Sequence, residues 1–394
     1  MIPKKWILLI IVVAEFSCIS LWFAGNGVMS DLLVTFSLRN SALAHLTSAV
    51  QFGFISGTLI YALLTIADRF SPSRVFFVNA ILGALFNAGI IWNENTFASL
   101  LILRFLTGFC LAGIYPVGMK IAADYFDKAL GKSLGLLVGA LVVGTALPHL
   151  LKDLSNFLPW RFVILTTSGL SVFGGLLMIL LIPDGPYRKP GKQLNLSVFF
   201  NIFHNKDFRS AAFGYFGHMW ELYAFWAFVP IILKSYAKIH PHTIINIPFL
   251  SFMIIGIGGL ACALGGYLSL KTGPKKLAFM ALFLSGICCL ISPMALNISM
   301  EYLFIGFLLL WGMFVVADSP LFSTLVANNS SAEIKGSALT IVNCIGFSIT
   351  IVSIQLISGL HEMFNSNSIY AILAIGPALG LLAYRKSNNF TMKN

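Results

Sequence analysis

The sequence predicts an all-α membrane protein with twelve transmembrane helices, and its composition is the first reason. Of the 394 residues, 58% are hydrophobic and 10% are charged, whereas charged residues make up about 25% of ordinary soluble domains. Apolar runs of about 20 residues recur along the whole chain, and each is long enough to cross a hydrocarbon core as a helix. Lys and Arg residues gather in alternate loops between these runs. A soluble fold is excluded, because the chain has too few charged residues to cover its surface.

Twelve apolar windows predict the spans. They cover residues 6–28, 43–66, 75–92, 97–119, 131–151, 161–182, 210–233, 247–269, 277–296, 300–322, 336–360 and 366–384. The first window continues past the length of a signal peptide without a small-residue cleavage site, so we expect it to be a span. The longest polar interruption follows the sixth window. It predicts an N-terminal six-helix bundle at 1–182, a cytoplasmic linker at 183–209 and a C-terminal six-helix bundle at 210–394.

Basic residues predict the orientation in the membrane. One set of alternating loops holds only five of the 25 Lys and Arg residues: Arg39, Lys152, Arg161, Lys234 and Lys238. Arg104 lies inside a span, and the other 19 lie in the opposite loops and at the termini. Because loops rich in Lys and Arg face the cytoplasm, we expect both termini to be cytoplasmic and the protein to lie in the inner or plasma membrane. This asymmetry also accounts for the net charge of +11, so no nucleic-acid partner is inferred.

The two halves show signs of an internal duplication. Residues of the same type recur at offsets of 202 to 206 positions in three separate regions. The matching pairs are Pro72 with Pro274, Gly108 with Gly312, Pro116 with Pro320, and Glu15 with Glu221. Repeated halves are common in secondary transporters, where the solute path runs between the repeats.

Several motifs resemble those of the major facilitator superfamily. The family pattern after the second span is Gly-x-Leu-Ala-Asp-Arg-x-Gly-Arg-Arg/Lys. The stretch LTIADRFSPSR keeps Ala67, Asp68, Arg69 and Arg74, with Leu64 and Ser71 at the glycine positions. Its counterpart GYLSLKTGPKK keeps Gly266, Gly273, Lys275 and Lys276, with Leu270 at the aspartate position. The fourth span keeps the Arg-x-x-x-Gly pattern as Arg104 and Gly108. The resemblance covers essentially the whole chain and implies two pseudo-symmetric bundles that transport by alternating access.

Four charged residues fall inside the predicted spans: Glu15, Arg104, Glu221 and Asp318. A charged side chain at the centre of a span costs roughly 2.5–3.5 kcal/mol on insertion scales, so such residues usually face the protein interior and carry function. In the family that the chain resembles, these four spans line the central cavity. Glu221 lies among aromatic residues in GHMWELYAFW, and His218, three residues before it on the same helical face, is placed to share a proton with it. These five residues are the candidates for proton coupling or substrate binding.

The roles of these residues leave alternatives open. Arg104 either binds an anionic group of a substrate or neutralises Glu15. Asp318 acts either as a gate or helix-terminus residue or as a substrate contact. Five polar and aromatic residues are candidates for the cavity lining, although packing or membrane-interface roles compete for each: Trp22, Asn26, Trp220, Tyr223 and Trp226.

The charged turns carry a separate hypothesis. They are either ordinary basic turns or, as the resemblance implies, a cytoplasmic gating motif that stabilises one state of the transport cycle, and we favour the second. The motif comprises Asp68, Arg69, Arg74, Gly266, Gly273, Lys275 and Lys276.

These features favour a secondary active transporter of a small solute, coupled to protons. Three carboxylates against one arginine favour a cationic, neutral or zwitterionic substrate over a small oxyanion. Efflux of drug-like or siderophore-like compounds competes with nutrient uptake, because the fifth span lacks the adjacent Gly-Pro typical of antiporters. A facilitative uniporter is a further alternative, and a passive channel or a sensor without flux is less favoured.

No enzymatic activity, cofactor or metal site is expected. The chain has no phosphate-binding loop, its aspartates are isolated, and its six cysteines form no CxxC or Cys/His cluster. The expected partners are the lipid bilayer, the solute and protons, and we expect a monomer.

Overall fold

The structure, a computed structural model, describes residues 4–126, 130–155, 158–188, 202–331, 334–364 and 366–391. Every regular element in these ranges is a helix. The chain divides into two compact units, Met1–Gln193 and Leu194–Asn394. The boundary between the units falls within the stretch 183–209, of which residues 189–201 lie outside the described ranges.

The first unit contains ten α-helices and a 3₁₀ turn at Gly89–Ile91 among its described residues. The α-helices are α1 Lys4–Ile19, α2 Ala24–Gly27, α3 Met29–Thr35, α4 Ala42–Leu63, α5 Ile66–Arg69, α6 Pro72–Ala88, α7 Phe97–Leu111, α8 Tyr115–Tyr125, α9 Leu130–Leu154 and α10 Arg161–Leu181.

The second unit contains seven longer α-helices and a 3₁₀ helix at Asn367–Ala374 among its described residues. The α-helices are α11 Lys206–Ile239, α12 Ile247–Thr272, α13 Pro274–Ala295, α14 Glu301–Ala317, α15 Ser319–Asn328, α16 Lys335–Phe364 and α17 Ile375–Thr391.

Ten helical segments of the described chain are long and apolar enough to cross a membrane. They coincide with the second to the eleventh predicted windows, which confirms a multi-pass α-helical membrane protein. The helices at the first and last windows, Trp6–Ile19 and Ser368–Tyr384, are shorter than the roughly 20 residues of a straight crossing. The count of twelve therefore stays a prediction.

Three of the predicted spans are interrupted in the structure. The fourth breaks between α7 and α8, and the tenth breaks between α14 and α15. A proline, Pro116 or Pro320, occupies the first turn of the helix after each break. Proline lacks an N–H group and its ring clashes with the preceding turn, so it starts a helix but does not continue one. The first span breaks between Ile19 and Ala24, where no proline is present.

One close helix contact recurs in both units. A Cβ atom built on Gly108 of α7 would lie 2.0 Å from the carbonyl oxygen of Val50 in α4. A Cβ atom built on Gly312 of α14 would lie 2.0 Å from the carbonyl oxygen of Ile254 in α12. Both residues of the second pair lie 204 positions after those of the first. The internal duplication therefore extends to the backbone contact that glycine permits.

Candidate functional site

Glu221 is completely buried in the middle of α11 and accepts hydrogen bonds from two other helices. The indole Nε1 of Trp311 in α14 donates to Oε1 at 2.6 Å, and the hydroxyl of Ser285 in α13 donates to Oε2 at 2.9 Å. The side chain of Cys289, also in α13, interacts with the same carboxylate. All three groups are neutral donors. The carboxylate therefore joins α11, α13 and α14, and no described ion pair places a cation on it.

His218 and Asp318 form a second buried polar contact in the same unit. The imidazole Nδ1 lies 2.8 Å from Oδ1 of Asp318, and both side chains are 0% exposed. Asp318 occupies the junction between α14 and α15. The described contacts therefore pair His218 with the helix break and not with Glu221, its neighbour on the same face of α11.

Glu15 occupies the position in α1 that corresponds to Glu221, but its surroundings differ. The side chain is 0% exposed, and neither carboxylate oxygen has a hydrogen-bond partner among the described residues. Gly118 of α8 faces the carboxylate: a Cβ atom built there would lie 3.2 Å from Oε2. An unsatisfied buried carboxylate is unusual, because burying a charged group without a partner costs several kcal/mol.

Arg104 is buried against the break in the first span. Its guanidinium donates to the carbonyl oxygens of Leu21, at 3.1 Å, and of Trp22. It also contacts Oδ1 of Asn87 at 3.5 Å. These two carbonyl groups belong to the turn between α1 and α2, where helical partners are missing. Arg104 thus satisfies the broken helix, and the described contacts include no ion pair between it and Glu15.

The five candidate lining residues lie in packed surroundings. Trp22 packs on Phe54 with ring centroids 4.8 Å apart. The side-chain amide of Asn26 donates to Thr47 Oγ1 at 2.8 Å.

The other three lining candidates belong to α11. Tyr223 and Trp226 are buried and stack edge to face, with centroids 5.2 Å apart. Trp220 donates from Nε1 to the carbonyl oxygen of Ile372 at 3.3 Å, and it packs against Gly376. Trp220 is therefore engaged with the last helical segment of its own unit.

The first charged turn is held by a residue that the sequence motif does not include. Lys120 of α8 pairs with Asp68 at 2.6 Å. Arg69 contacts the hydroxyl of Thr65, and Arg74 is exposed. The guanidinium of Arg188 donates to the carbonyl oxygens of Asp68 and Phe70. The turn is thereby fixed to α8 and to the segment after α10.

The second turn has a more open arrangement. Lys275 pairs with Asp207 of α11 at 3.1 Å, with side chains 38% and 57% exposed. Gly273 has a φ of +83°, a conformation that favours glycine. Gly266 lies in the last part of α12, and Lys276 is exposed. A pocket of about 290 Å³ adjoins the Lys275 pair.

Sequence reasoning missed several of these partners. Trp311, Ser285 and Asn87 lie within apolar windows, where an aromatic, a hydroxyl and an amide are common enough to escape notice. Lys120 was grouped with the basic residues of a loop. Helical spacing predicts side-chain contacts within one helix, but it does not predict contacts with residues of another helix.

The fold and the buried charges define a multi-pass membrane transporter, and comparison with known proteins identifies its family. The sequence profile of the Major Facilitator Superfamily matches residues 7–354. The chain therefore belongs to the Major Facilitator Superfamily, as the turn motifs and the fourth span indicated.

A solved structure has the same fold. The crystal structure of a mutant of the nucleoside transporter NupG matches with a TM-score of 0.70 and covers 97% of this chain and 99% of that chain. Sequence identity over the match is 14%, so the likeness concerns the fold alone.

Curated relatives are distant. The efflux pump FUBT of Fusarium oxysporum and the efflux pump FUB11 of Gibberella moniliformis are each 28% identical over 148 residues, 36% of this chain. The chain spans about a quarter of the length of these pumps, since the match covers 24% of each. An uncharacterized protein of Campylobacter jejuni is 24% identical over 278 residues, which cover 68% of this chain and 82% of that protein.

Proposed function

We propose that this protein is a secondary active transporter that moves a small solute by alternating access and couples the movement to protons. The observation that carries the proposal is Glu15, a fully buried carboxylate whose two oxygens lack hydrogen-bond partners among the described residues. Ionisable residues inside the membrane are expensive, and they commonly mark proton relays and substrate paths. A group that binds nothing in this structure is available to bind a proton or a solute in another step.

The proposed proton path includes both bundles. Glu15 in the first bundle and Glu221 in the second are the carboxylates that take up and release protons, and His218 with Asp318 adds a further titratable pair. Arg104 supports the broken first span of the first bundle. Its donors are directed to the main chain, which favours a positioning role over contact with an anionic solute.

The proposed substrate is a cationic, neutral or zwitterionic small molecule. Among the described residues, three carboxylates are 0% exposed, and the one buried arginine is already bound to main-chain carbonyl oxygens. A small oxyanion would require free cationic groups, whereas an organic cation gains from carboxylates and from the faces of Trp22, Tyr223 and Trp226. In this proposal Asn26 and Trp220 complete the lining.

The charged turns are proposed to stabilise one state of the cycle from the cytoplasmic side of an inner or plasma membrane. The Asp68–Lys120 pair supports this role for the first turn, together with Arg69 and Arg74. In the second turn, the same role is proposed for Gly266, Gly273, Lys275 and Lys276. We also propose that both termini are cytoplasmic and that the protein is a monomer.

Efflux of drug-like compounds is the second candidate for the direction of transport. The distant likeness to the Fusarium and Gibberella efflux pumps favours it over nutrient uptake. A facilitative uniporter is the third candidate, and it differs from both in moving no protons.

The test uses the purified protein in proteoliposomes that contain a pH-sensitive dye. A panel of organic cations, nucleosides, sugars, amino acids and organic acids is applied to the wild type, to Glu15→Gln and to the control Glu94→Gln, whose glutamate is exposed. We expect one solute class to evoke proton movement in the wild type and in the control and to evoke none in Glu15→Gln.

The sign of the proton movement separates symport from antiport. Solute movement without protons in the wild type would contradict coupling and identify a uniporter. Unchanged proton movement in Glu15→Gln would remove Glu15 from the coupling path.

A further inference from the structure

The His218–Asp318 pair differs from the other buried carboxylates because a second ionisable side chain, the imidazole, contacts the carboxylate. The two atoms in contact, Nδ1 and Oδ1, lie 2.8 Å apart, and neither side chain is exposed. Neither the second ring nitrogen, Nε2, nor the second carboxylate oxygen, Oδ2, has a hydrogen-bond partner among the described residues. The contact joins the middle of α11 to the junction at which α14 ends and α15 begins.

Few other titratable groups face this pair in the described part of the chain. On α11, Tyr215 lies beside the imidazole with ring centroids 5.9 Å apart, and Glu221 interacts with Asp318. Cys262 of α12 also interacts with Asp318.

The remaining helices around α11 contribute little charge near the pair. Where α17 packs on this part of α11, the backbones of Gly376 and Gly380 lie against Gly217 and Gly214. Cys344 of α16 interacts with Tyr215, and Cys289 of α13 interacts with Glu221. The pair is thus a buried imidazole–carboxylate contact between α11 and the α14–α15 junction.

Burial favours the state in which the pair holds one proton. With one proton shared between them, imidazole and carboxylate have no net charge, either as an ion pair or as two neutral groups. A second proton leaves a buried positive charge, and loss of the proton leaves a buried negative charge. Both of these states are strongly disfavoured without water or a counter-ion.

We propose that His218 and Asp318 form a one-proton site, separate from Glu221, that holds the α14–α15 junction against α11 while the pair is neutral. Gain or loss of a proton charges the pair, and the junction then separates from α11 so that water reaches the charge. The inference rests on the proposed function only for its place in a transport cycle, as a second proton-controlled step.

Cys262 provides a native reporter for this separation. Its thiol is fully buried and donates to the carbonyl oxygen of Val316 at 3.3 Å, two residues before Asp318. Alkylation of Cys262 by N-ethylmaleimide, followed by mass spectrometry of its peptide, measures how often the junction opens. The intrinsic reactivity of the thiol also changes with pH, so every rate is divided by that of the double variant His218→Gln/Asp318→Asn, which keeps two neutral amides.

The alkylation rate of Cys262, relative to the double variant, is measured between about pH 5 and pH 9 for the wild type and for the two single variants. The wild-type ratio is near unity where the pair holds one proton, and it rises several-fold at both ends of the range. Asp318→Asn leaves a lone imidazole and opens only on the acidic side. His218→Gln leaves a lone carboxylate and opens only on the alkaline side.

Two outcomes overturn the proposal. A wild-type ratio that is flat with pH shows that the pair does not control the junction by protonation. Equal, pH-independent acceleration in both single variants assigns the pair a packing role alone. Because the labelling assay needs no solute, its failure leaves the proton-movement test of coupled transport intact, and a failure of that test leaves the labelling result intact.

Discussion

The two units share a close helix contact, but their buried glutamates differ in their hydrogen-bond partners. Glu15 and Glu221 lie at corresponding positions, each completely buried in an apolar helix. Glu221 accepts hydrogen bonds from Trp311 and Ser285, whereas neither carboxylate oxygen of Glu15 has a hydrogen-bond partner among the described residues. The two repeats therefore keep the same helix packing, but the side chains around the equivalent glutamates differ.

The shared frame predicts the largest effects. Gly108→Val in the first unit and Gly312→Val in the second each place a side chain where a Cβ atom alone would lie 2.0 Å from a carbonyl oxygen. We expect neither variant to give folded protein, because helix backbones in contact cannot separate without disrupting the packing around them. Size-exclusion chromatography of detergent extracts measures the folded fraction.

Matched controls come from the same chain. Gly169 and Gly306 have open space at the Cβ position, so Gly169→Val and Gly306→Val are expected to fold normally. Normal yield of Gly108→Val beside loss of Gly312→Val would show that the two units do not share this contact.

The broken first span predicts the next largest effect, and it is confined to the first unit. Arg104→Ala removes the guanidinium donor of the Leu21 and Trp22 carbonyl oxygens, of which Leu21 alone keeps a described donor, the Ala24 N–H at 3.4 Å. Each unsatisfied buried group costs about 1–3 kcal/mol, so we expect the melting temperature in detergent to fall sharply. Arg39→Ala, at an exposed position, controls for loss of one positive charge. An unchanged melting temperature for Arg104→Ala would favour a role in solute binding over support of the break.

The two glutamates themselves predict opposite changes in stability. Glu221→Leu removes the acceptor of the Trp311 indole and should lower the free energy of unfolding by about 1–3 kcal/mol. Glu15→Leu removes a carboxylate with no described partner and should leave stability unchanged or raise it. Leucine is chosen because glutamine at 221 would retain an acceptor for the indole. Equal destabilisation by both substitutions, measured by thermal melting, would remove the distinction between the two sites.

The charged turns predict the smallest effect. The Asp68–Lys120 pair has side chains 20% and 24% exposed, and the Asp207–Lys275 pair is more open. Exposed ion pairs contribute about 0–1 kcal/mol, so Lys120→Gln should lower stability slightly and Lys275→Gln less. High salt should reduce the difference. A larger loss for Lys275→Gln in thermal melting at low salt would reverse the comparison.

Much of the fold follows from the sequence, because apolar length and the placement of Lys and Arg respond to the bilayer. Ten membrane-crossing segments and the family are recovered in this way. The breaks are harder to predict: Pro116 and Pro320 signal two of them in retrospect, but the break between α1 and α2 depends on Arg104, which comes from another helix. Hydropathy does not reveal such a break, because the residues in it remain apolar.

The candidate site is only partly predictable for the same reason. A charge in an apolar window is visible in one sequence, so Glu15, Arg104, Glu221 and Asp318 are found. Their partners are set by packing between helices. His218 shares a helical face with Glu221, yet its described partner is Asp318, one hundred residues further along the chain.

The most direct test of the account asks whether Glu15 exchanges a proton within the folded protein. Infrared difference spectra of the purified wild type, recorded while the pH is changed, report buried carboxyl groups through their C=O stretching band. The account predicts a titrating band that disappears in Glu15→Gln and persists in the exposed control Glu94→Gln. A band that is unchanged in Glu15→Gln would show that this carboxylate does not take part in proton exchange, and it would contradict the proposed coupling.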